Sequence, residues 1–225
     1  MNNLTLLIPA KEEAESLPLV LKELEKYNCR KLVVMSKEDK ETIKAIEDYS
    51  CEKLYQKKNG YGAALIEGIE HIETEYLCIF NADGSFNPIY LNEMLDMSKS
   101  NYDFIFSSRY SLGGKTEDDT ILTFVGNKIF TLLGNIFFKL SIGDILYTFV
   151  LGRTKSFKKL NLKKVDFRIC VELPIKANRS SMRDTNMGSH ERRRFKGFKK
   201  VNEFKDGFLI LIELINLLLD NFNGV

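Results

Sequence analysis

The sequence contains few of the residues that build metal sites and disulfide frameworks. Its 225 residues include two histidines, four cysteines and no tryptophan. The cysteines at positions 29, 51, 78 and 170 lie far apart and form no CxxC pair. This spacing argues against a structural zinc site and against a set of disulfides. We therefore expect buried, free thiols in a reducing, cytoplasmic compartment.

The sequence also lacks an uncharged apolar run long enough to cross a membrane, which takes about 20 residues. Segment 121–143 is interrupted by Lys128 and Lys139, and segment 208–219 is short and contains Glu213. The N-terminus has neither the basic region nor the apolar length of a signal peptide. We expect a cytoplasmic protein, or one attached to the inner face of a membrane rather than spanning it.

The overall charge gives little reason to expect a nucleic-acid partner. The net charge is only +2, and the 44% hydrophobic and 28% charged residues are ordinary for a globular protein. The length suits one domain with an appendage, or two small domains.

Short apolar segments alternate with amphipathic ones over the first 110 residues. This pattern predicts strands at 4–8, 31–35, 53–56, 76–80 and 102–106, and helices after Ser16, at 38–49, within 59–72 and at 89–97. The alternation indicates an α/β protein with a mostly parallel central sheet flanked by helices. Ligands of such sheets bind beyond the carboxyl ends of the strands.

The pattern changes after about residue 110. Residues 115–120 predict a polar loop, and residues 121–142 predict one or two helices with large apolar faces. A strand is predicted at 165–170. Residues 176–203 are polar and basic, and one more helix follows them.

Two short oxygen-bearing side chains, Asn81 and Asp83, follow the fourth predicted strand. Asp83 could hold a divalent cation only if a substrate such as a diphosphate supplied further oxygens. Asn81 could form a hydrogen bond with a sugar hydroxyl. The alternative is a turn that merely ends the strand, which Asn, Asp and Gly commonly form.

Basic side chains occur at two further places. Arg109 follows the fifth strand, where a guanidinium suits a phosphate or a carboxylate, although a surface arginine would fit there equally. In segment 191–200, six of ten residues are basic and Gly197 stands among them. Such a loop could close over a diphosphate. The alternatives are a solvated charge run, a nucleic-acid patch or contact with anionic lipid.

Two acidic residues are candidates for a general base. Asp144 ends the long apolar segment, and Glu172 precedes Leu173-Pro174. Either could accept a proton if it faces the crevice. A structural role for each is at least as well supported by the sequence.

Taken in chain order, these motifs resemble the family-2 inverting glycosyltransferases of the GT-A fold. The motifs are IPAKEEAESL, YGAALIEGI, FNADGSFNP, SSRY, the aspartate at 144, and RFKGFKK. Within that family they are most similar to the polyprenyl-phosphate sugar transferases of the dolichol-phosphate mannose synthase type. The resemblance covers roughly residues 4 to 210.

The resemblance implies a role for each matched position. A nucleotide pocket would be lined by Pro9, Ala10, Lys11 and Glu13. The family's Asp-x-Asp motif is here Asn81-Ala82-Asp83, with Asp83 and Asn81 at the position that binds Mg²⁺ or Mn²⁺.

Further positions follow from the same resemblance. Ser85 would add a polar contact, and Arg109 would lie near the phosphates. Asp144 would be a base or a carboxylate that orients the sugar. Arg194 and Lys200 would hold the diphosphate.

The sequence departs from the family pattern at three places. Asn81 replaces the first aspartate of the motif. The segment at 33–42 lacks the usual aspartates at its strand end, and Asp39 is displaced from that position. The segment at 145–153 matches the family only loosely.

The resemblance implies transfer of a sugar, with inversion and metal assistance, from a nucleotide-diphospho-sugar to a polyprenyl phosphate or to a hydroxyl of a glycan or lipid. Residues 1–115 would bind the nucleotide-sugar, and residues 116–225 would bind the acceptor within one continuous domain. We expect no nucleic-acid partner. A binding or scaffold protein that lost turnover, a peripheral membrane-binding module and a homo-oligomer remain open alternatives.

Overall fold

A computed structural model describes residues 1–111, 113–197, 200 and 202–223 of the chain. Seven strands form one sheet, in the spatial order 52–55, 30–35, 4–10, 76–79, 150–153, 104–108 and 184–188. The five strands predicted in the first half are present as β1 (Leu4–Ala10), β2 (Arg30–Met35), β3 (Glu52–Tyr55), β4 (Tyr76–Ile79) and β5 (Phe104–Ser108).

The remaining strands come from the second half of the chain. β7 (Val150–Arg153) pairs antiparallel with β4 and β5, and β8 (Asp184–Gly188) pairs parallel with β5. The short strands β6 (Lys115–Thr116) and β9 (His190–Glu191) form a separate two-stranded sheet. The main sheet therefore takes strands from both sides of residue 115.

Helices cover both faces of the sheet. They are α1 (Leu17–Leu24), α2 (Lys40–Ala45), α3 (Tyr61–His71), α4 (Leu91–Lys99), α5 (Ile121–Phe138), α6 (Thr154–Lys159), α7 (Ile169–Arg179) and α8 (Glu203–Asn223), with a 3₁₀ turn at Pro88–Tyr90.

Alternating side chains of the strands enter two separate cores, as the period of a strand requires. In β1, Leu7 packs in the core shared with α3, α7 and α8, whereas Leu6 and Ile8 pack in the core shared with α1 and α4. Because both faces of the sheet are covered, its central strands β1, β4 and β5 are mostly apolar.

The strand predicted at 165–170 is wrong, because Ile169 begins α7 and the residues before it form a turn. The two strands of the main sheet that the sequence analysis did not predict are β7 and β8. β7 contains Gly152, where an added Cβ would lie 2.5 Å from the carbonyl oxygen of Asp103. β8 lies at the edge of the sheet, which explains its polar sequence.

All four cysteines are free thiols, as expected. Cys78 and Cys170 are buried, and Cys29 and Cys51 are only half-buried, so burial was correctly predicted for two of the four.

Candidate active site

One large cavity of about 1220 Å³ opens beyond the carboxyl ends of β1, β4 and β5. β1 and β4 are parallel neighbours, so the loops that follow them meet at one edge of the sheet. Residues from many separate segments of the chain converge there. Eleven of the predicted site residues line the cavity: Pro9, Ala10, Lys11, Glu13, Asn81, Ala82, Asp83, Ser85, Arg109, Arg194 and Lys200.

The segment after β4 forms an Asx turn. Asp83 Oδ1 accepts a hydrogen bond from the backbone N–H of Ser85 at 2.9 Å, and Asn81 Nδ2 donates to Ser85 Oγ at 3.2 Å. Gly84 has φ +83°, a conformation that glycine adopts without strain. Ser85 therefore holds the turn, while Asp83 and Asn81 face the cavity.

The basic segment folds directly over this turn. The backbone N–H of Phe195 donates to the carbonyl oxygen of Asp83 at 2.7 Å, and that of Arg192 donates to Ser85 at 2.9 Å. A Cβ on Gly84 would lie only 2.4 Å from the Phe195 ring. These contacts fix the segment over the turn. The Phe198 and Lys199 part of the predicted RFKGFKK motif lies outside the described residues.

Two cations of this segment reach the cavity. Arg194 Nη2 lies 2.5 Å from Asp118 Oδ2, and Lys200 Nζ lies 3.9 Å from Glu13 Oε1. Burial alone would lower the pKa of Arg194, but its hydrogen bond to Asp118 and the nearby negative charges, Asp83 among them, raise it. Arg194 therefore stays charged inside the cavity wall.

Glu13 is a buried carboxylate in the same cavity. Burial raises its pKa, and the charge of Asp83 raises it further, whereas Ser16 and Lys200 lower it. Glu13 also accepts a hydrogen bond from the Ser16 hydroxyl. Glu13 lies 3.9 Å from Lys200 and lines the cavity together with Asp83, so the acidic turn and the basic segment border one shared space.

Arg109 is almost fully enclosed by acidic and aromatic side chains. Its Nε and Nη2 bind the two oxygens of Asp144 at 2.7 and 3.1 Å, and Nη1 lies 3.4 Å from both Asp119 and Glu191. The ring of Tyr147 lies 4.8 Å from its guanidinium carbon. Three carboxylates therefore offset the charge of Arg109, which leaves Arg194 and Lys200 as the better predicted partners of a diphosphate.

The structure does not bring Asp144 into the cavity, which corrects its prediction as a base. The side chain is fully buried behind Arg109. Besides the guanidinium, it accepts hydrogen bonds from the Arg109 backbone N–H and, at 2.7 Å, from Asn127 Nδ2. Asp144 has its oxygens occupied, so its role in this geometry is to position Arg109.

Glu172 also lies away from the cavity, so its prediction as a base is corrected too. Its buried carboxylate accepts the backbone N–H groups of Lys163 and Lys164 at 2.8 Å, and Lys176 Nζ lies 2.8 Å away. Glu172 fixes the segment before α7. The lysine four residues later on the same helix is the sequence signal for this structural role.

Sequence reasoning missed the carboxylates that do face the cavity near Arg109: Asp118, Asp119 and Glu191. Thr116 Oγ1 donates to Glu191 Oε2 at 2.6 Å. Burial raises the pKa of Glu191, although Arg109 and Thr116 lower it. The available signal was the acidic run at 117–119, which is complementary to the basic segment.

The sequence of the chain matches one family model. Residues 5–161 match the model described as glycosyl transferase family 2. The chain belongs to this family. It is therefore a glycosyltransferase, as predicted.

A curated relative of this glycosyltransferase is the glycosyltransferase AglJ of Haloferax volcanii. The two are 24% identical over 212 residues, which cover 93% of this chain and 70% of that protein.

Solved structures confirm the GT-A fold. Glucosyl-3-phosphoglycerate synthase from Mycobacterium tuberculosis, solved with Mn²⁺, uridine diphosphate and phosphoglyceric acid, matches with a TM-score of 0.72 and 12% identity over 96% of this chain and 78% of that one. Mannosyl-3-phosphoglycerate synthase from Rubrobacter xylanophilus matches with a TM-score of 0.71 and 13% identity over 99% and 75%. At such identities the likeness establishes the fold alone. The narrower resemblance to polyprenyl-phosphate sugar transferases stays a prediction.

The side-chain oxygens available as metal ligands in this glycosyltransferase could hold a cation only if a bound substrate supplied further ligands. Within the described residues, no three His, Cys, Asp or Glu side chains could together hold a metal ion. Asp83 and the amide oxygen of Asn81 are too few ligands for the octahedral set that Mg²⁺ requires. The site therefore fits a divalent cation that shares the oxygens of a bound diphosphate.

Helix α5 of the glycosyltransferase buries two polar side chains and exposes most of its apolar ones. It buries Asn127 and Thr131, which are linked to each other and to Asp144 and the Ile145 backbone by hydrogen bonds. By length and composition it could cross a membrane, with a mean hydropathy of 1.5. Apart from Lys128, its exposed side chains are large and apolar: Ile121, Leu122, Phe124, Val125, Ile129, Leu132, Ile136 and Phe137.

Helix α8 packs beside α5 and extends this exposed apolar surface. Glu213 anchors α8 to Lys164 at 2.8 Å, and Thr123 of α5 donates to Glu203 at the start of α8 at 2.7 Å. Its buried side chains include Ile210. The exposed apolar side chains of α8 are Phe204, Phe208, Leu211, Ile215 and Leu219.

Proposed function

We propose that this glycosyltransferase moves a sugar from a nucleotide-diphospho-sugar to a lipid-linked acceptor at a membrane face, with inversion and with the help of Mg²⁺ or Mn²⁺. One observation carries the proposal. The cavity that contains Asp83, Arg194 and Lys200 is also lined by residues of α5 and α8, whose outer faces are apolar.

The donor half of the proposal rests on the charges around the turn after β4. A diphosphate in the cavity would lie among Asp83, Arg194 and Lys200. The structurally similar M. tuberculosis synthase was solved with Mn²⁺ and uridine diphosphate, which supports a divalent cation and a nucleotide-sugar donor here. A cation shared by Asp83 and the diphosphate would neutralise charge on the leaving group.

In the proposed reaction, an acceptor oxygen attacks the anomeric carbon from the side opposite the leaving diphosphate. The new carbon–oxygen bond forms as the bond to the diphosphate breaks, and the diphosphate leaves with the electron pair. Arg194 and Lys200 stabilise the negative charge that develops there, which is the main electrostatic requirement of such a transfer. Arg109, held by Asp144, shapes the wall beside them.

The acceptor proposed is a polyprenyl phosphate. A phosphate oxygen is already deprotonated, so its attack requires no general base. This acceptor is compatible with the positions of Asp144 and Glu172, neither of which lines the cavity.

A hydroxyl acceptor is the second candidate, and Glu191 is the observation that favours it. Its carboxylate faces the cavity, and burial raises its pKa, so it could take a proton from a hydroxyl. Glu191→Gln separates the two candidates. The variant keeps transfer to polyprenyl phosphate within a few-fold if the acceptor is a phosphate. If the acceptor is a hydroxyl, the variant loses transfer and the acidic limb of the pH profile.

The membrane part of the proposal rests on α5. A helix of a soluble protein normally turns its apolar stripe inward, whereas α5 buries Asn127 and Thr131 and exposes most of its large apolar residues. Lys128 and Lys139 are its only charged neighbours along 121–139, and they suit an anionic lipid surface. We propose that α5 and α8 lie on the cytoplasmic face of a membrane.

The decisive experiment is a thermal-shift panel of UDP-, GDP-, CMP- and dTDP-sugars, each with and without Mn²⁺. We expect stabilisation by sugars of one base, dependent on Mn²⁺ and lost in Asp83→Ala. Asp96→Ala is the matched control, because Asp96 is an exposed aspartate on α4 outside the cavity. The absence of any shift with all donors would overturn the proposed donor chemistry.

A further inference from the structure

Two arginine–aspartate pairs lie at the wall of the cavity, and they differ in how firmly they are closed. Arg109 binds both oxygens of Asp144 through two nitrogens, and neither side chain is more than 9% exposed. Arg194 contacts Asp118 through one nitrogen and one oxygen, Nη2 and Oδ2, at 2.5 Å. These two side chains are 20% and 25% exposed, and both residues line the cavity. The first pair is a fixed part of the wall, whereas a ligand in the cavity can reach the second.

The segment that carries Asp118 is held in place by contacts other than the one with Arg194. It continues β6, which pairs with β9. The backbone N–H of Glu117 donates to the carbonyl oxygen of Glu191 at 3.1 Å, and the backbone N–H of Asp118 donates to Thr116 Oγ1 at 3.3 Å. Asp118 would therefore stay at the cavity wall if the side chain of Arg194 turned away from it.

The backbone on either side of Arg194 is fixed as well. The backbone N–H of Phe195 donates to the carbonyl oxygen of Asp83 at 2.7 Å. The guanidinium of Arg192 binds the two carboxylate oxygens of Glu23 at 2.8 and 2.9 Å. A change of partner by Arg194 therefore requires only rotation of its side chain. Such rotations are fast and leave the secondary structure unchanged.

A diphosphate bound at Asp83 would be a second partner for Arg194. The hydrogen bond between Phe195 and Asp83 places the backbone of residue 194 beside the turn after β4. The contact with Asp118 uses one of the several N–H donors of the guanidinium. A diphosphate offers more oxygens and can bind an arginine through two hydrogen bonds. It can therefore displace Asp118, but part of its binding free energy is spent on breaking the existing pair.

We propose that Asp118 is an internal competitor of the donor for Arg194. Asp118 binds Arg194 before the donor arrives, the diphosphate of the donor displaces it, and Asp118 binds Arg194 again as the nucleoside diphosphate leaves. This inference rests on the nucleotide-diphospho-sugar donor of the proposed function. Asp118 acts on the nucleotide only through Arg194. It lowers the affinity for donor and product alike and speeds product release, a step that limits turnover in many enzymes.

The alternative is that Asp118 holds Arg194 in the orientation that a diphosphate needs, as Asp144 holds Arg109. The two roles predict changes of opposite sign in nucleotide affinity. Removal of a competitor tightens the binding of a nucleoside diphosphate. Removal of a residue that orients the arginine weakens it.

The test is Asp118→Asn, which removes the charge and keeps the size of the side chain. Glu117→Gln is the matched control, because it removes the same charge one residue away, where Glu117 pairs with His190 and does not line the cavity. Arg194→Ala and the double variant complete a double-mutant cycle. Titration calorimetry with UDP, GDP and dTDP, each with Mn²⁺, measures Kd. Steady-state kinetics measure the donor KM, kcat and the constant for product inhibition.

We expect Asp118→Asn to lower the Kd of the nucleoside diphosphate about three- to tenfold, as the loss of a partly exposed ion pair allows. The donor KM and the product-inhibition constant should fall in the same direction, with kcat unchanged or lower. Glu117→Gln should change Kd less than about twofold. In the Arg194→Ala background, Asp118→Asn should also change Kd less than about twofold, because the competitor then has no arginine to bind.

Three results would overturn the inference. One is unchanged or weaker nucleotide binding by Asp118→Asn, and weaker binding would assign Asp118 the orienting role. Another is an equal gain in Glu117→Gln, which would show long-range repulsion only. The third is the same gain in the Arg194→Ala background, which would show that Asp118 repels the diphosphate directly. If the wild type binds none of the three nucleotides, the donor half of the proposed function is wrong and the inference is wrong with it. Binding by the wild type without a gain in Asp118→Asn contradicts the inference alone.

Discussion

Arg109, which lines the cavity, forms a bidentate ion pair with the buried side chain of Asp144. Two guanidinium nitrogens bind the two carboxylate oxygens at 2.7 and 3.1 Å, and the backbone N–H of Arg109 adds a third contact at 3.2 Å. The pair joins the end of β5 to the segment after α5. The position of Arg109 therefore depends on a residue that does not itself reach the cavity.

Replacing Asp144 with asparagine tests this positioning role. Breaking a buried ion pair by neutralising one partner costs about 3 kcal/mol, so we expect a lower melting temperature and reduced transfer for Asp144→Asn. The acidic limb of the pH–rate profile should stay where it is in the wild type, because in the proposed mechanism Asp144 only holds Arg109 in place. A shifted or lost acidic limb would restore Asp144 as a base.

Glu172→Gln provides the comparison for that variant. Glu172 is equally buried but holds the backbone of Lys163 and Lys164 far from Arg109. We expect a similar loss of thermal stability with kcat/KM of the folded enzyme unchanged. A large loss of kcat in folded Glu172→Gln would contradict the placement of this residue outside the active site.

The basic segment offers a matched pair of substitutions. Arg194 and Lys200 line the cavity, whereas Arg193 is exposed and does not. A lost hydrogen bond to a charged group costs about 1.5–3 kcal/mol, so Arg194→Ala and Lys200→Ala should each raise the donor KM about tenfold or more. Arg193→Ala changes the net charge equally and should leave KM unchanged. Equal effects of all three would indicate only long-range attraction.

Asn81→Asp tests the cation site. A carboxylate at position 81 adds a charged oxygen ligand beside Asp83, and the Ser85 hydroxyl can donate to it in place of the present amide contact. We expect a several-fold lower Mn²⁺ concentration at half-maximal transfer. An unchanged Mn²⁺ titration, measured with saturating donor, would place Asn81 outside the coordination sphere and favour a contact with the sugar or ribose.

We expect Glu191 to make a pH-dependent contribution to the free energy of unfolding. Burial raises its folded-state pKa above the ordinary value of 4.5. The folded protein therefore binds this proton more tightly than the unfolded chain. The resulting stability is complete below about pH 4.5 and is lost as the pH rises through the folded pKa.

Glu191→Gln should remove this loss, because glutamine stays neutral and its amide oxygen can still accept from Thr116. We expect the variant to melt at or above the wild type at neutral pH, with a difference that shrinks toward pH 4.5. Melting curves of both proteins across this range provide the measurement. A variant that melts lower at neutral pH would mean that attraction to Arg109 outweighs burial.

The exposed face of α5 can be tested with Ile129→Asn and Ile136→Asn combined. Both side chains are more than half exposed, so the change should leave folding intact. We expect the double variant to lose co-sedimentation with anionic lipid vesicles. Leu19→Asn is the control, because Leu19 is an exposed apolar residue on α1. Retained vesicle binding in the double variant would assign the apolar face to another partner.

Much of the fold follows from local sequence patterns. Four of the first five strands are largely apolar segments between helical periods, β3 being the polar exception, and all five were predicted in the correct order. β7 was missed because Gly152 interrupts it and its partners lie more than forty residues away in sequence. β8 was missed because an edge strand carries no continuous apolar pattern.

Some residues of the candidate active site could be predicted from the sequence and others could not, for a related reason. Asp83 and Arg109 directly follow strands, so the sheet topology itself brings them together. The roles of Asp144 and Glu172 depend on partners that no local pattern reveals, namely a guanidinium 35 residues away and two backbone N–H groups. Glu191 reaches Arg109 only through the pairing of β6 with β9, which is also non-local.

The cations at positions 194 and 200 already have acidic neighbours before any substrate arrives. Arg194 contacts Asp118, and Lys200 lies 3.8 to 3.9 Å from the carboxylates of Glu12 and Glu13. A diphosphate must therefore exchange with these carboxylates instead of entering a bare positive pocket. A single phosphate offers fewer oxygens for that exchange than a diphosphate does, so we expect the abundant phosphate of a cell to inhibit the enzyme only weakly.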